Sequence, residues 1–498
     1  MAGHVTVGNP LLVDATDLDL WAGTEDAPGA FPELMRRLLA QTPGVSNIDV
    51  RAHEGNAAPG WDGTATSTGS AYLPAGQLRF EFGTNKETKR KAQQDYDKRV
   101  LQTGDGAEEV FVFATPRNWA GGAAWAAGRA NEGCFHSVKV IDAHTLEGWL
   151  QSLPVVHYWI SERLGKHPAD VRTLASWWEG FLGRARIEVP PKFHTAGRDK
   201  EKQRTLQLLK EKAPFLTVQS AWRDDALAFC HAALKEGDPA ALDKTVVVWS
   251  AQAWRQLAVH SSPMILVPLF DDPDIGLADR GGHTVVRVLG GNWTSSESDT
   301  VIGLPKIRRD TGAEALVEAA DIDTREADRF TALARRSMSA FYRSISRDPS
   351  RKFPKWATDA HVNRILARLV LVGAWEDNHP GDSQRVSEFI GLPYGDITDI
   401  LTSIVGDSPF VESGGVWRLV DPVDAATLLL PRLSERHLEG WGKFVEHVLL
   451  AEDPLEGLSP TESIIAQFNG ARPPLCRLPC VNTSCGALPL ARQFVIKK

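Results

Sequence analysis

The sequence has no apolar run near the ~18 residues that a membrane-spanning helix requires. Its first residues show no basic stretch leading into an apolar one, so no secretory leader is read there. Cysteine is scarce: five in 498 residues, with Cys134 and Cys230 isolated and Cys476, Cys480 and Cys485 crowded near the C-terminal end. That excludes a disulfide framework and points to a cytoplasmic location. The three late cysteines lack a C-x-x-C pair and a fourth ligand, which argues against structural zinc. Positive charge is not in surplus either. The net charge is −8, so any contact with nucleic acid has to come from a local basic patch.

What is present is an ordinary globular composition on a chain too long for one core, so about two to four domains are expected. In residues 31–41, FPELMRRLLAQ, Leu34, Leu38 and Leu39 recur at helical spacing. Two short β-like runs follow, around Ser67–Leu73 and at 78–84, with Pro74 and Gly76 between them. The charged stretch KETKRKAQQDYDKRV reads as a helix, VFVFAT (110–115) and SVKVID (137–142) as strands, and HTLEGWLQS and VHYWISERLG as closing helices. The order α-β-β-α-β-β-α predicts a small α/β domain with a central mixed sheet over 1–175.

Paired prolines and a charge run in 187–205 mark a boundary. Strands FLTVQS, KTVVVWS, MILVPLF and HTVVRVLG then alternate with helices, which predicts a parallel sheet over 190–350, with a helical lid at 324–346. Residues 355–432 read as three helices and a two-stranded wing, 433–470 as a helical extension, and 471–498 as a disordered tail.

The strongest chemical cue lies in the first domain: GWDG at 60–63, then RFEFGTNKETKRKAQQDYDKR at 79–99. Metal-assisted phosphodiester cleavage needs carboxylates gathered around Mg²⁺, which takes oxygen ligands and activates water. Asp62 sits where the chain enters one strand and Glu81 in the middle of the next, so a hairpin would bring them together. Glu33 is a further candidate metal ligand. A lysine often completes such sites, but the residue two beyond Glu81 is Gly83, which leaves Lys86 or Lys89 as the catalytic cation. The helix 86–99 carries six basic residues against three acidic ones, and Lys89, Arg90, Lys91, Lys98 and Arg99 are the candidate contacts to DNA phosphates. The plain alternatives are a turn residue for Asp62, a solvent-facing residue for Glu81, a helix-dipole acid for Glu33 and a solvated face for the basic helix.

In order along the chain, GWDG, PAG, FEFGT, KAQQDYDKR, FVFATPRNW and DAHTLEGWL resemble the restriction-endonuclease-like (PD-(D/E)xK) module at the N-terminus of large bacterial defence proteins, where it is fused to a STAND- or AAA-like ATPase. The resemblance implies a Mg²⁺-dependent DNA endonuclease of anti-phage type, regulated by the modules that follow. The expected partners are DNA, met through its phosphate backbone, and further copies of the chain, but no membrane. Gly83 departs from the family signature, so a catalytically inactive nuclease-fold binding protein is the alternative, and a signalling NTPase a second one.

TAGRDKE, PMILVPLF with GGHTVV, and LARRSMSAFYR resemble the ATPase part of such proteins. The G-x-x-x-x-G-K-[ST] loop is absent, however, and the corresponding turn reads QSAWRDDALAF, whose Asp224 and Asp225 would repel phosphate. A degenerate P-loop-like α/β domain acting as sensor or scaffold is therefore expected. The candidate recognition helix DITDILTSIV carries Asp396 and Asp399, which argues for packing within the protein rather than base reading. Beyond about residue 470 the resemblance stops, as it would in a shortened reading of a longer gene.

Overall fold

The structure is a computed structural model that describes residues 12–449, except 51–59, 104–107, 291–299, 349–354, 405–407, 420–421 and the single positions 169, 184, 221, 271, 378 and 414, together with Ser459 and Glu462. The segment 471–498 with its three cysteines lies outside the described residues. The fold is mixed α/β. The described residues fall into two units. One takes residues up to 180 with 206–216 and 234–287, the other 181–205, 217–233 and those from 288 onward.

The first unit opens with helices α1 (Ala15–Trp21) and α2 (Ala27–Gln41). Pro28, in the first turn of α2, starts that helix earlier than its apolar periodicity suggests, because a proline there loses no hydrogen bond. Phe31, Leu34, Met35, Leu38 and Leu39 are fully buried on it, each contributing about 1.5–3 kcal/mol of transfer free energy. A five-stranded sheet follows: β1 (Val45–Val50), β2 (Gly63–Thr68), β3 (Ala75–Phe82), β4 (Glu109–Ala114) and β5 (Ser137–Ile141), in that spatial order. The first three strands are antiparallel, and β3, β4 and β5 are parallel. Parallel neighbours need crossovers. Helix α3 (Thr88–Thr103) supplies the first and α4 (Gly122–Ala130) the second. Helices α5 (Ala143–Ser152) and α6 (Pro154–Arg163) complete this part.

Strand alternation gives the sheet two faces. Leu78, Phe80, Val110, Val112 and Ala114 join the core formed with α1, α2, α5 and α6. Phe111 and Phe113 point the other way, into a smaller core with Ala92 and Tyr96 of α3 and Trp125 of α4. The β4 strand is therefore buried on both sides, as its unbroken apolar run requires. Glu81 is register partner to Phe113, which places it on the α3 face.

Three elements differ from the sequence reading. The polar, half-exposed β1 was not expected. The β2 strand begins four residues earlier than read, at Gly63. The stretch GAAWAAGRA forms α4, whose glycines hide its helical character.

Elsewhere in the first unit, Val171–Thr173 runs antiparallel to Thr245–Val248, which is parallel to Ile265–Pro268, and Thr284 and Val285 pair in parallel with Ile265 and Leu266. In the second unit Val301–Gly303 is parallel to Thr217, Val218 and Gln219. The expected lid helix is two helices, Thr324–Arg336 and Met338–Ile345, because Ser337 leaves the helical path and caps the second. Further along, helices Ala360–Val372, Pro380–Ile390 and Tyr394–Ser403 pack on a sheet of three strands rather than two. The third, Ala374–Glu376, was read as helix; Gly373, with φ of 82°, ends the helix before it.

Candidate active site

The β2–β3 ladder brings Asp62 and Glu81 together. Gly63 is register partner to Phe80, so the next pair outward on the ladder is Asp62 with Glu81. Two hydrogen bonds fix this end: the Asp62 amide donates to the Phe80 carbonyl at 3.1 Å, and the Phe82 amide donates to Asp62 Oδ2 at 2.8 Å. The two carboxylates thus flank one another on the face covered by α3.

From α3, Lys91, Asp95 and Arg99 recur at a spacing of four, one above the other on the helix surface. The Lys91 ammonium donates to Asp95 Oδ1 at 2.7 Å, while Asp95 Oδ2 is buried without a hydrogen-bond partner. The Arg99 guanidinium donates to Glu81 Oε1 at 2.5 Å, to Gln102 Oε1 at 2.7 Å and to the Gly60 carbonyl, and it stacks over the Trp61 ring at 4.6 Å. The Glu81 and Arg99 side chains are each only 5% exposed, so this pair is an interior one. Burial and the neighbouring Asp62 carboxylate push Glu81 up to about 7, against the pull of Arg99. Asp95 is also raised, first by burial, with the Asp62 charge adding to it and Lys91 opposing.

Gly83 has a steric explanation. A Cβ there would stand 2.7 Å from Phe113 Cζ and 3.2 Å from Lys91 Cγ. The Lys91 stem therefore runs through the space a side chain at position 83 would need. The cation sought at 83, 86 or 89 is supplied at this place by Lys91. Lys86 and Lys89 are exposed on the first turns of α3. The polar stripe at 91, 95 and 99 was the sequence signal for this face.

The other expected site residues distribute as follows. Glu33 does not join Asp62 and Glu81: its two carboxylate oxygens accept from Arg36 and Arg37 at 2.7 Å each, and those arginines also reach Asp243. Arg99, expected on a DNA-facing surface, is the buried partner of Glu81, because burial of that carboxylate demands a counter-charge. Lys91 is half-buried. Lys89, Arg90 and Lys98 are exposed, with Arg90 3.4 Å from Glu87. Trp125 is packed into the small core and donates to Gln93 at 2.9 Å, and Trp119 stacks beside it.

Oxygen donors of this kind suit a hard divalent cation, and the buried orphan oxygen of Asp95 adds to that fit. Against it stands Arg99, which already occupies Glu81. Among the described residues no group of three or more His, Cys, Asp or Glu side chains converges closely enough to hold a metal ion.

The second unit holds another charged cluster, at the turn where a nucleotide-binding fold would cradle phosphate. Asp225, in the first turn of helix Arg223–Gly237, accepts from Arg198 at 3.0 and 2.8 Å, from Ser220 at 2.6 Å and pairs with His194 Nδ1 at 3.1 Å. His194 Nε2 meets the Tyr342 hydroxyl at 2.5 Å. Desolvation raises Asp225, but Arg198 and His194 outweigh it and hold its carboxyl well below the usual carboxylate range. The carboxylate thus satisfies the cations that phosphate would otherwise attract. Of the lid arginines, Arg335 donates to the Ile307 carbonyl and Arg343 pairs with Asp424. His283 accepts from the Met264 amide at 3.1 Å, a structural role.

Compared with known families and with curated proteins, the chain matches no family model and no curated protein. No helix among the described residues is long and apolar enough to cross a membrane.

Proposed function

We propose that the chain is a Mg²⁺-dependent DNA endonuclease of the restriction-endonuclease-like type, acting in the cytoplasm in bacterial anti-phage defence under control of the modules that follow. One observation carries this reading: Asp62 and Glu81 meet at the end of a hairpin, and α3 lays Lys91, Asp95 and Arg99 over them. Asp62 and Glu81 would hold the cation, which supplies Lewis-acid stabilisation of the phosphoryl oxygens and lowers the pKa of the attacking water. Lys91 offsets the charge of the phosphoryl group and orients that water. The exposed cations Lys86, Lys89 and Arg90 at the start of α3 position the DNA backbone.

In the same reading residues 190–350 are a degenerate P-loop-like domain, and 355–432 a winged-helix domain that packs within the protein. Asp225 supports the first part, since a buried carboxylate at the phosphate turn opposes nucleotide binding and with it the signalling-NTPase alternative.

The test is nicking of supercoiled plasmid in Mg²⁺. Asp62→Ala and Glu81→Ala should each lower the rate by roughly a hundredfold or more, and unchanged cutting by either variant rejects the site. A second reading, a nuclease-fold protein that binds DNA without cutting it, is favoured by the Arg99–Glu81 pair. Metal-independent DNA binding with no cleavage by the wild type selects it.

A further inference from the structure

Arg99 is an unusual neighbour for a residue meant to hold a cation. Its guanidinium is anchored on Glu81, the Gly60 carbonyl, Gln102 and the face of Trp61. Glu81 is flanked by a second carboxylate, Asp62, and feels a third, Asp95. Asp95 is itself only 6% exposed, and one of its oxygens has no partner. Three carboxylates thus share a low-dielectric pocket with two cations, Lys91 and Arg99, standing among them. Two positive side chains against three negative ones leave this group one positive charge short. The orphan Asp95 oxygen is the place where that deficit is visible.

We infer that Arg99 is a built-in counter-cation occupying the metal position, and that a divalent cation binds Asp62, Glu81 and Asp95 only by displacing Arg99 from Glu81. This rests on the cation site proposed above and adds to it a third ligand, Asp95, and an internal competitor. Metal loading and the Arg99–Glu81 pair exclude one another, because Glu81 Oε1 cannot donate its lone pairs both to a short guanidinium hydrogen bond and to a cation at coordination distance. Arg99 leaves along the Trp61 ring, and the segment around Gly60 loses its tie to α3 at the same moment. The resting protein is therefore held in a metal-poor state, and anything that draws Arg99 away, such as a DNA phosphate, raises metal affinity.

The experiment is Mn²⁺ binding to the full chain, followed by the loss of the free-ion paramagnetic signal. Arg99→Met keeps the apolar stem and removes the competitor. It should lower the half-saturating Mn²⁺ concentration by roughly tenfold or more, the scale of one charge-assisted hydrogen bond. Adding Asp95→Asn to it should reverse most of that gain. A folded Arg99→Met protein that binds Mn²⁺ no more tightly overturns the inference. If that variant does not fold, Mg²⁺ titration of tryptophan fluorescence in the wild type decides. Displacing Arg99 changes the surroundings of Trp61, so a saturable change lost in Trp61→Phe supports the inference, and the lack of any such change overturns it. Tighter Mn²⁺ binding by Arg99→Met with no DNA cutting by either protein keeps the inference and rejects the nuclease. Cutting by the wild type with unaltered Mn²⁺ affinity in the variant does the reverse.

Discussion

Replacing Asp225 by alanine should destabilise the second unit more than any other single substitution in its interior. The carboxylate accepts two hydrogen bonds from Arg198 and one from Ser220, and it pairs with His194; its side chain and that of Arg198 are each 3% exposed. Without it, Arg198 keeps only the Pro305 and His194 carbonyls as acceptors among the hydrogen bonds described above and here, at 2.8 and 3.1 Å, and its charge is uncompensated in the interior. Breaking a buried pair in this one-sided way costs about 3–5 kcal/mol. That is a large part of a total stability of about 5–15 kcal/mol. At about 2–4 °C per kcal/mol for a unit of this size, the melting temperature should fall by roughly 6–20 °C. Differential scanning calorimetry measures it. The double variant Asp225→Leu with Arg198→Met removes both charges and should recover most of the loss, because the desolvation penalty disappears with the pair. A single variant that melts within about 3 °C of the wild type, or a double variant as unstable as the single, would refute the reasoning.

Three further outcomes are expected. Lys91→Ala should reduce plasmid cutting far more than Lys86→Ala or Lys89→Ala, whose side chains are exposed; equal effects of the three would place the functional cation elsewhere. Gly83→Ala should cost about 1–3 kcal/mol in urea unfolding, since the added methyl meets the Phe113 ring and the Lys91 stem closely. Burial holds His157, which faces Glu147 and Lys166, and His194, which faces Asp225, Arg198 and Tyr342, below the ordinary histidine value. The unfolded chain then takes up the proton first on acidification, so their contribution to stability is complete above pH ~6.5 and shrinks as the pH drops below it. Thermal melts between neutral and mildly acidic pH should show the fall, and a weaker fall in His157→Gln.

How far the sequence spoke for the fold depended on how local the signal was. The strands β3 and β4 were legible because Leu78, Phe80, Val110 and Val112 announce a buried sheet by alternation and by an unbroken apolar run. β1 was not, because VSNIDV is a half-exposed edge that offers little apolar pattern. Asp62 and Glu81 could be paired on paper once a hairpin was supposed. Lys91 and Arg99 could not be told from their neighbours, since a basic helix gives the same composition whether its charges face water or a buried carboxylate. The Asp225 cluster was hidden for another reason: its partners His194 and Arg198 lie 31 and 27 residues away, and Tyr342 is 148 residues from His194.

The crowding between Gly83 and the Lys91 stem also bears on how this site can vary. Positions 83 and 91 compete for one volume, so a lysine can be rooted in the strand or in the helix, but not in both. A chain of this type that carries lysine at the strand position should carry a small residue four turns of thought away on the helix, at 91, and the two changes should be neutral only when made together. Gly83→Lys alone should fail, and Gly83→Lys with Lys91→Ala should restore an ammonium group to the same pocket from the opposite wall.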